Sequence, residues 1–452
     1  MSKVALVNPG PAGNANYGLT EPHNLGYLAS YLEQHDVEVS IVDQLAGDDV
    51  MGRLEAFDPD WVGFSGTTPV AMDAYDLAAE CRKRGWKTVM GGVHAGIMVE
   101  EALEHVEVVV KGEGEQALLK LVRGEVEGQV VQGEPVANLD DLPPVARHLM
   151  NMEHYLGNAN RHPFTFLAFV PPNTPSASLL TARGCPRHCI FCHNSWRGIP
   201  YRANTPERVI SELKALQADY GVKALFFIED NFFAVKRRVK SICELMQQEK
   251  IKLIWGATAT ASSVNEETLE AGAAAGLKQV TFGFESGSQR IHEILGKGVT
   301  VEQCARAARM CKEVGITVNA TFMIGSPTET REDIEMTLRF IEDNPIDVAG
   351  LLLLTPYPGT QLWDWLAERG FLLESRNWRA FDFSTVMYSS NGAMSREEIL
   401  QTYHEALDRI YRPKASAYFF SKLQHPLEGL KTAGKVIASP KRVLQRLKTL
   451  RW

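Results

Sequence analysis

A chain of 452 residues with 45% hydrophobic and 23% charged residues predicts a globular protein of two or three domains with substantial cores. The net charge of −8 argues against general affinity for nucleic acid. No apolar run approaches the roughly 20 residues of a membrane-spanning helix, and the chain enters a strand pattern at once instead of a signal peptide, so we expect a cytoplasmic protein.

The N-terminal part of the chain alternates short apolar runs with helical patterns, which fall at 24–34 and 74–84. The candidate strands are residues 3–8, 37–43, 60–68, 87–96 and 106–115. This alternation predicts a doubly wound α/β domain of Rossmann-like type over residues 1–130. Ligands of such domains bind beyond the carboxyl ends of the strands.

Small residues follow three of these strands at the ends where a ligand would bind. They are Ser65, Gly66, Thr67 and Thr68, then Gly91, Gly92, Val93 and His94, then Gly112, Glu113 and Gly114. Glycine there lets the backbone approach a large planar ligand closely. A nucleotide-binding domain stays open as an alternative, but the absence of G-x-G-x-x-G after the first strand counts against a dinucleotide.

A proline-rich linker over residues 131–175 precedes a second series of strands and helices over residues 176–370. The candidate strands are 178–182, 224–230, 252–258, 279–286, 317–325 and 349–357, with helices such as 206–220 and 266–276 between them. Six such units predict a partial TIM-type (β/α)6 barrel. Its active site would lie at the carboxyl ends of the strands.

Three cysteines directly follow the first strand of this barrel. Cys185, Cys189 and Cys192 form a C-x3-C-x2-C triplet, and thiolate ligands select zinc, copper(I) or iron–sulfur clusters. A closed zinc site would need His188 or His193 as fourth ligand. An iron–sulfur cluster needs no fourth protein ligand, because three cysteines can hold it and leave one iron open. The triplet therefore favours an iron–sulfur cluster. The remaining cysteines lie singly in helical patterns, as in a reducing compartment.

The triplet, read as C-x3-C-x-F-C after a strand, resembles the signature of the radical S-adenosylmethionine (SAM) superfamily. The stretches V-G-x-S-G, G-G-x-H-A and x-G-E-G-E in the first domain resemble the cobalamin-binding domain that precedes the barrel in many members. This resemblance implies that the three cysteines bind a 4Fe-4S cluster, that SAM binds its open iron, and that the small residues named above bind cobalamin. The motif D-x-H-x-x-G is absent, so we expect no histidine of that motif on cobalt, and we expect His94 to be a polar wall residue or a solvated residue rather than a cobalt ligand.

The resemblance also implies a set of SAM contacts at the strand ends. Carboxylates suit the amino group and acceptor oxygens suit the ribose hydroxyls. The set consists of Phe191 beside the adenine, Glu229 and Asp230 for the amino group, Glu285 and Ser286 for the ribose, and Ile324, Gly325 and Tyr357 around the adenine. Where many relatives carry Arg or Asn near the SAM carboxylate, this chain has Thr260, so the carboxylate must be bound from elsewhere or the cavity is larger. We hypothesise that substrate specificity lies there.

Residues 371–452 form a mainly helical C-terminal region, with an aromatic-rich stretch at 376–390 that we expect to cap the barrel mouth and a helix over 395–413. The tail after Arg412 is rich in Lys and Arg, and from Ser439 it has the pattern of a basic amphipathic helix. Such a helix either contacts an anionic membrane surface or packs against the barrel.

We therefore expect an oxygen-sensitive enzyme that reductively cleaves SAM to a 5′-deoxyadenosyl radical and methylates an unactivated carbon or phosphorus. Its partners would be a small-molecule, lipid or tetrapyrrole substrate and a reductant such as flavodoxin or ferredoxin, with no nucleic acid. No catalytic side chain is assigned. The alternatives are a radical cyclisation or ring rearrangement with the same cofactors, and a non-catalytic cobalamin or redox sensor.

Overall fold

The fold consists of two parallel six-stranded sheets, each flanked by helices, followed by a C-terminal helical region. The computed structural model describes residues 2–10, 20–157, 167–168, 170–171, 173–193, 199–373 and 376–423. No helix in these ranges is both long enough and apolar enough to cross a bilayer. The predicted basic helix after Ser439 lies outside the described residues.

The N-terminal sheet has the order β2-β1-β3-β4-β5-β6, with every pair of neighbours parallel. Its strands are β1 (Lys3–Asn8), β2 (Glu38–Asp43), β3 (Trp61–Ser65), β4 (Lys87–Gly91), β5 (Val108–Gly112) and β6 (Val130–Gly133). The helices between them are α1 (His23–Glu33), α2 (Val50–Phe57), α3 (Ala71–Lys83), α4 (Val93–Ile97), α5 (Val99–His105) and α6 (Gly114–Val122). β2 lies on one side of β1 and β3 on the other, so the strand order reverses between β1 and β3. Ligands of doubly wound folds bind at such a point.

The second sheet has the order β14-β13-β12-β11-β10-β7, so sequential strands are neighbours as in a partial barrel. Its strands are β7 (Ser176–Leu179), β10 (Ala224–Phe227), β11 (Ile254–Ala259), β12 (Leu277–Glu285), β13 (Thr317–Ile324) and β14 (Val348–Leu353), and β8 (Ala182–Arg183) pairs antiparallel with β9 (Arg202–Ala203). The helices of this region are α7 (Met152–Leu156), α8 (Pro206–Tyr220), α9 (Lys236–Gln248), α10 (Glu266–Ala274), α11 (Gln289–Ile294), α12 (Val301–Glu313), α13 (Arg331–Asp343), α14 (Gln361–Glu368) and α15 (Arg396–Leu423). The predicted doubly wound sheet and partial barrel are both confirmed.

Short side-chain caps begin several barrel helices. Thr205 accepts a hydrogen bond from the backbone of Arg208 at the start of α8, and α12 and α13 begin with capping boxes at Thr300 and Thr330. The predicted C-terminal helix is present and is longer than expected, because α15 continues to Leu423.

A buried polar cluster fixes the barrel against the N-terminal domain. Ser178 in β7 donates a hydrogen bond to the Glu21 carboxylate at 2.5 Å and contacts His23 Nε2 at 2.9 Å. Arg147 donates to the Ser178 carbonyl at 3.0 Å and lies 3.6 Å from Glu21. Since all four side chains are buried, the first barrel strand is held directly by the segment that opens α1.

The segment after α14 spans both domains. The backbone of Leu353 in the edge strand β14 donates to the carbonyl of Phe383, which extends the barrel edge. Trp378 and Phe381 lie in a hydrophobic cluster of the N-terminal domain, together with Tyr75. This part of the C-terminal region therefore covers a helical face of the first domain.

Candidate active site

The cysteine triplet forms a loop at the carboxyl end of β7, beginning after Gly184, whose φ of 99° favours glycine. The loop is held at Ile190, whose amide donates to Leu295 at 3.0 Å and whose carbonyl accepts from Leu362 at 2.9 Å. Cys185 and Cys189 are half-buried, and Cys192 is more exposed than either. The barrel mouth therefore presents three thiols from one anchored loop.

The donor set fits a cluster held by three thiolates. Burial raises the pKa of both Cys185 and Cys189, so in the absence of a cation these thiols stay protonated at neutral pH, and metal binding would release their protons. Three thiolates are a soft donor set of the kind that holds iron–sulfur clusters, and a cluster held by three cysteines keeps one iron open.

Glu229 and Asp230 have different surroundings although both follow β10. Glu229 is buried and accepts hydrogen bonds from the amide and hydroxyl of Thr181, at 3.0 and 2.8 Å, with Arg238 3.5 Å away. Asp230 is exposed, and after burial its carboxylate is the largest cause raising the pKa of the Cys192 thiol. Asp230 therefore faces the cysteine loop, whereas Glu229 braces the end of the first barrel strand.

A buried lysine that the sequence patterns did not single out lies beside the cysteine loop. Lys297 Nζ is 2.6 Å from Glu285 Oε1, and both side chains are only 8% exposed. Burial is the largest single influence and opposes the charged lysine, but the Glu285 carboxylate and the neighbouring cysteines together outweigh it and raise the pKa of Lys297. Its Nζ also lies 5.9 Å from the centre of the Phe191 ring. The one sequence signal for it is the Gly-Lys-Gly turn, in which Gly296 and Gly298 both have positive φ.

Gly283 leaves room for this ion pair to fold over its own strand. A Cβ on Gly283 would collide with Glu285 Oε1 and would lie 3.1 Å from Lys297 Nζ. Glu285 itself has φ of 68°, and the register between β12 and β13 shifts at this point. A non-glycine residue in this region of backbone space is strained, which is common at functional sites.

Other predicted SAM contacts bond to or pack against neighbouring protein residues. The Ser286 hydroxyl is buried and bonds to Thr337 at 3.0 Å. Ile324 and Gly325 are buried at the end of β13, where the Gly325 carbonyl accepts from Tyr388 at 2.8 Å. Tyr357 donates to the Phe381 carbonyl at 2.9 Å and packs toward the N-terminal domain. Phe191, Asp230 and Glu285 are thus the predicted side chains gathered around the cysteines.

Thr260 is buried at the end of β11 in a hydroxyl–amide cluster. Its Oγ1 accepts from Asn231 at 3.4 Å, and Ser263 donates to the Asn231 side chain at 3.0 Å. Arg187 of the cysteine loop donates a hydrogen bond to Ser262, close to this strand end.

A cavity of about 300 Å³ lies between the two domains. Six predicted residues of the N-terminal domain line it: Ser65, Gly91, Gly92, Gly112, Glu113 and Gly114. From the barrel it is lined by Leu180, Ala182, Arg183, Gly184, Ile228, Glu229 and Asp230. The glycine loops and the start of the cysteine loop therefore border one space.

The glycines at this cavity are sterically necessary. A Cβ on Gly112 would collide with the carbonyl of Gly133, and a Cβ on Gly92 would lie 3.0 Å from Ser65 Oγ. Both glycines have positive φ. Bare backbone and apolar walls at the carboxyl ends of β3, β4 and β5 fit a large planar ligand such as a corrin.

The remaining predicted cobalamin contacts do not line this cavity; they are Gly66, Thr67, Thr68, Val93 and His94. Thr67, Gly92 and Val93 are exposed at the same edge of the sheet. His94 is fully buried, and its two ring nitrogens contact Thr68 at 3.2 Å and Tyr75 at 3.1 Å. Burial lowers the pKa of His94. The structure thus places His94 in the domain interior, away from the cavity wall.

Glu113 is bound by the barrel. Its carboxylate accepts from Arg202 at 2.5 Å, lies 3.0 Å from Arg183 and accepts from the amide of Val136 at 2.7 Å. These contacts link the third glycine loop to the residues just before Cys185.

Comparison with known proteins identifies both domains. The radical SAM superfamily model matches residues 179–341, and the B12 binding domain model matches residues 13–122. An uncharacterized methyltransferase of Pyrococcus horikoshii is 34% identical over 389 residues, covering 80% of this chain and 81% of the relative. An anaerobic magnesium-protoporphyrin IX monomethyl ester cyclase of Rubrivivax gelatinosus is 26% identical over 91% of this chain and 78% of the relative. The solved structure of the cobalamin-dependent SAM radical enzyme OxsB, with aqua-cobalamin and SAM bound, shares the fold with a TM-score of 0.71 at 17% identity, over 98% of this chain and 75% of that chain.

Proposed function

Because the chain belongs to the radical SAM superfamily and carries its B12-binding domain, we propose that it is a cobalamin-dependent radical SAM methyltransferase. Its cofactors are a 4Fe-4S cluster, SAM and cobalamin. When bound, they supply hydrogen abstraction from an unactivated carbon and a methyl group, with SAM consumed and one electron taken from an external reductant. The protein contributes binding, orientation and exclusion of water.

One observation carries the proposal: the glycine loops of the N-terminal domain and the start of the cysteine loop border the same interdomain cavity. Methyl transfer requires the group that activates the substrate and the group that donates methyl to reach one substrate atom. A single space between both binding regions meets that requirement. A sensor would need neither a shared cavity nor the buried lysine beside the cysteines.

The described residues supply distinct roles around this cavity. Cys185, Cys189 and Cys192 would hold the cluster. Asp230 suits the SAM amino group, since an exposed carboxylate beside the cysteine loop can accept charge-assisted hydrogen bonds. Lys297, held by Glu285, suits the SAM carboxylate.

The substrate class is proposed from the mainly apolar cavity wall and from the tetrapyrrole chemistry named for the Rubrivivax relative. It includes small molecules, lipids and tetrapyrroles, and the acceptor atom is carbon or phosphorus. The reductant would be a flavodoxin or ferredoxin. No direct protein ligand to cobalt is proposed.

The experiment that tests the function uses anaerobically reconstituted enzyme, dithionite, a cell extract and SAM with a deuterated methyl group. We expect 5′-deoxyadenosine and a product carrying the label, detected by mass spectrometry. Cys189→Ala should abolish both, whereas Cys311→Ala, at a buried cysteine outside the triplet, should abolish neither. Release of 5′-deoxyadenosine with an unlabelled product would refute methyl transfer.

A second candidate is a radical cyclisation or ring rearrangement with the same cofactors. It is favoured by the 26% identity to the magnesium-protoporphyrin cyclase across nearly the whole chain. The same labelling experiment separates the two, because cyclisation changes the substrate without adding the SAM methyl group.

A further inference from the structure

Two arginines just before and after the cysteine loop lie side by side on a small ribbon. Strands β8 and β9 are antiparallel, and Arg183 is directly opposite Arg202. Directly opposed residues of antiparallel strands lie on the same face of the ribbon, so these two positive charges would repel without compensation. Arg183 precedes the first cysteine of the triplet by two residues.

Two glutamates of the N-terminal domain compensate these charges. Arg183 lies 3.0 Å from Glu113 and 2.6 Å from Glu115, and Arg202 donates to Glu113 at 2.5 Å. Arg202 also donates to the carbonyl of Val136. All four charged side chains are nearly buried, with exposures between 5% and 11%. We call Glu113, Glu115, Arg183 and Arg202 the interdomain clamp.

The clamp connects both sides of the cavity by short, stiff pieces of chain. Glu113 stands between Gly112 and Gly114, which line the cavity at the start of α6. Arg183 reaches Cys185 through Gly184 alone. Gly133 leaves room for Glu113 in this arrangement, since a Cβ on Gly133 would collide with the carbonyl of Glu113.

Burial makes the clamp rigid and its loss costly. Two arginines and two glutamates balance in charge, and the Arg183 guanidinium lies 5.4 Å from the centre of the Tyr27 ring. Removing one partner of a buried ion pair leaves an uncompensated charge, which is strongly destabilising. The ribbon therefore has one strongly preferred position against the N-terminal domain.

We propose that the four clamp residues are positioning residues that set the distance between cobalamin and the iron–sulfur cluster. The inference rests on the proposed function for its cofactors. In the resembled G-E-G-E motif, the two acids would then serve the barrel rather than the corrin. A misplacement of about 1 Å can reduce a reaction up to about 100-fold, so a loosened clamp should uncouple SAM cleavage from product formation.

The test compares Glu113→Gln and Glu115→Gln with Glu55→Gln, which breaks an exposed ion pair with Arg84 in the same domain. In each anaerobically reconstituted enzyme, the magnetic interaction between the reduced cluster and cob(II)alamin is measured by electron paramagnetic resonance. For the two clamp variants we expect a magnetic interaction that is weaker or more widely distributed in strength. We also expect at least a tenfold rise in the ratio of 5′-deoxyadenosine to product. Glu55→Gln should match the wild type in both.

A clamp variant that is folded, binds cobalamin and retains the wild-type magnetic interaction and product ratio would overturn the proposal. If Glu113→Gln does not fold, Arg202→Lys keeps the charge but loses the planar two-pronged geometry, and the same two measurements apply. The failure of the proposed function is seen separately, as an unlabelled product from the wild-type enzyme. The magnetic interaction tests the clamp whether the product is methylated or cyclised.

Discussion

Replacing Lys297 by methionine tests the buried ion pair beside the cysteine loop. The change removes the ammonium and keeps much of the side-chain volume, so Glu285 is left as an unpaired carboxylate that is 8% exposed. Breaking a buried pair in this way costs about 3–5 kcal/mol. For a domain of this size that corresponds to a drop in melting temperature of about 6–20 °C.

The assay is thermal unfolding of the anaerobic apoprotein, followed by SAM titration of the reconstituted enzyme. Lys312→Met is the matched control, since Lys312 pairs with Asp347 at 2.8 Å but is 41% exposed. An exposed pair contributes about 0–1 kcal/mol, so the control should melt close to the wild type. SAM should bind more weakly to Lys297→Met and normally to Lys312→Met.

The double variant Lys297→Met with Glu285→Gln separates the buried charge from lost packing. Because no unpaired charge remains, we expect it to recover much of the lost stability while SAM binding stays weak. A destabilising unpaired charge at Glu285 is ruled out if Lys297→Met melts no lower than Lys312→Met, or if the double variant is as unstable as the single one. Normal SAM affinity in Lys297→Met would refute the role of Lys297 toward the SAM carboxylate.

Three further predictions concern the surroundings of the site. Gly283→Ala should weaken SAM binding, measured by titration, because its Cβ would displace the Glu285 carboxylate from Lys297; a wild-type dissociation constant would contradict this. Burial raises the pKa of Glu329 to about 8, above its usual value of about 4.3, so its contribution to stability is complete below about pH 4.3 and is lost as the pH rises through 8. Glu329→Gln should flatten the melting temperature across that range, and an unchanged pH profile would count against it. His94→Gln should lower the melting temperature but leave the visible spectrum of bound cobalamin unchanged, since both ring nitrogens contact protein groups; a spectral shift would indicate ligation.

The two sheets were predictable because their strands are buried on both faces and appear in the sequence as continuous apolar runs. Strand β6 escaped prediction because only four residues form it and alternate ones are exposed. The ribbon β8–β9 is shorter still, and its pairing joins residues across the cysteine loop. Short elements defined by distant contacts leave no periodic signal.

The site was predictable where its chemistry is local in sequence and not where it depends on orientation. The cysteines share one loop, so their spacing was sufficient. Glu229 and Asp230 are adjacent, and adjacent residues at a strand end point to opposite sides. Only the structure therefore shows that Glu229 is the buried carboxylate and Asp230 the exposed one. Lys297 meets Glu285 through the turn after α11, which no pattern in the strand indicated.

The docking of Trp378 on the N-terminal domain has a consequence for how the protein is made. The Trp378 indole donates to Glu101 at 2.6 Å, and Glu101 also accepts from Tyr75. During synthesis the first domain leaves the ribosome well before Trp378 exists, so its Glu101 lacks that donor and its helical face lacks its apolar cover. The domain that binds cobalamin can therefore reach its final packing only after the barrel has been made, which ties maturation of the first cofactor site to completion of the second.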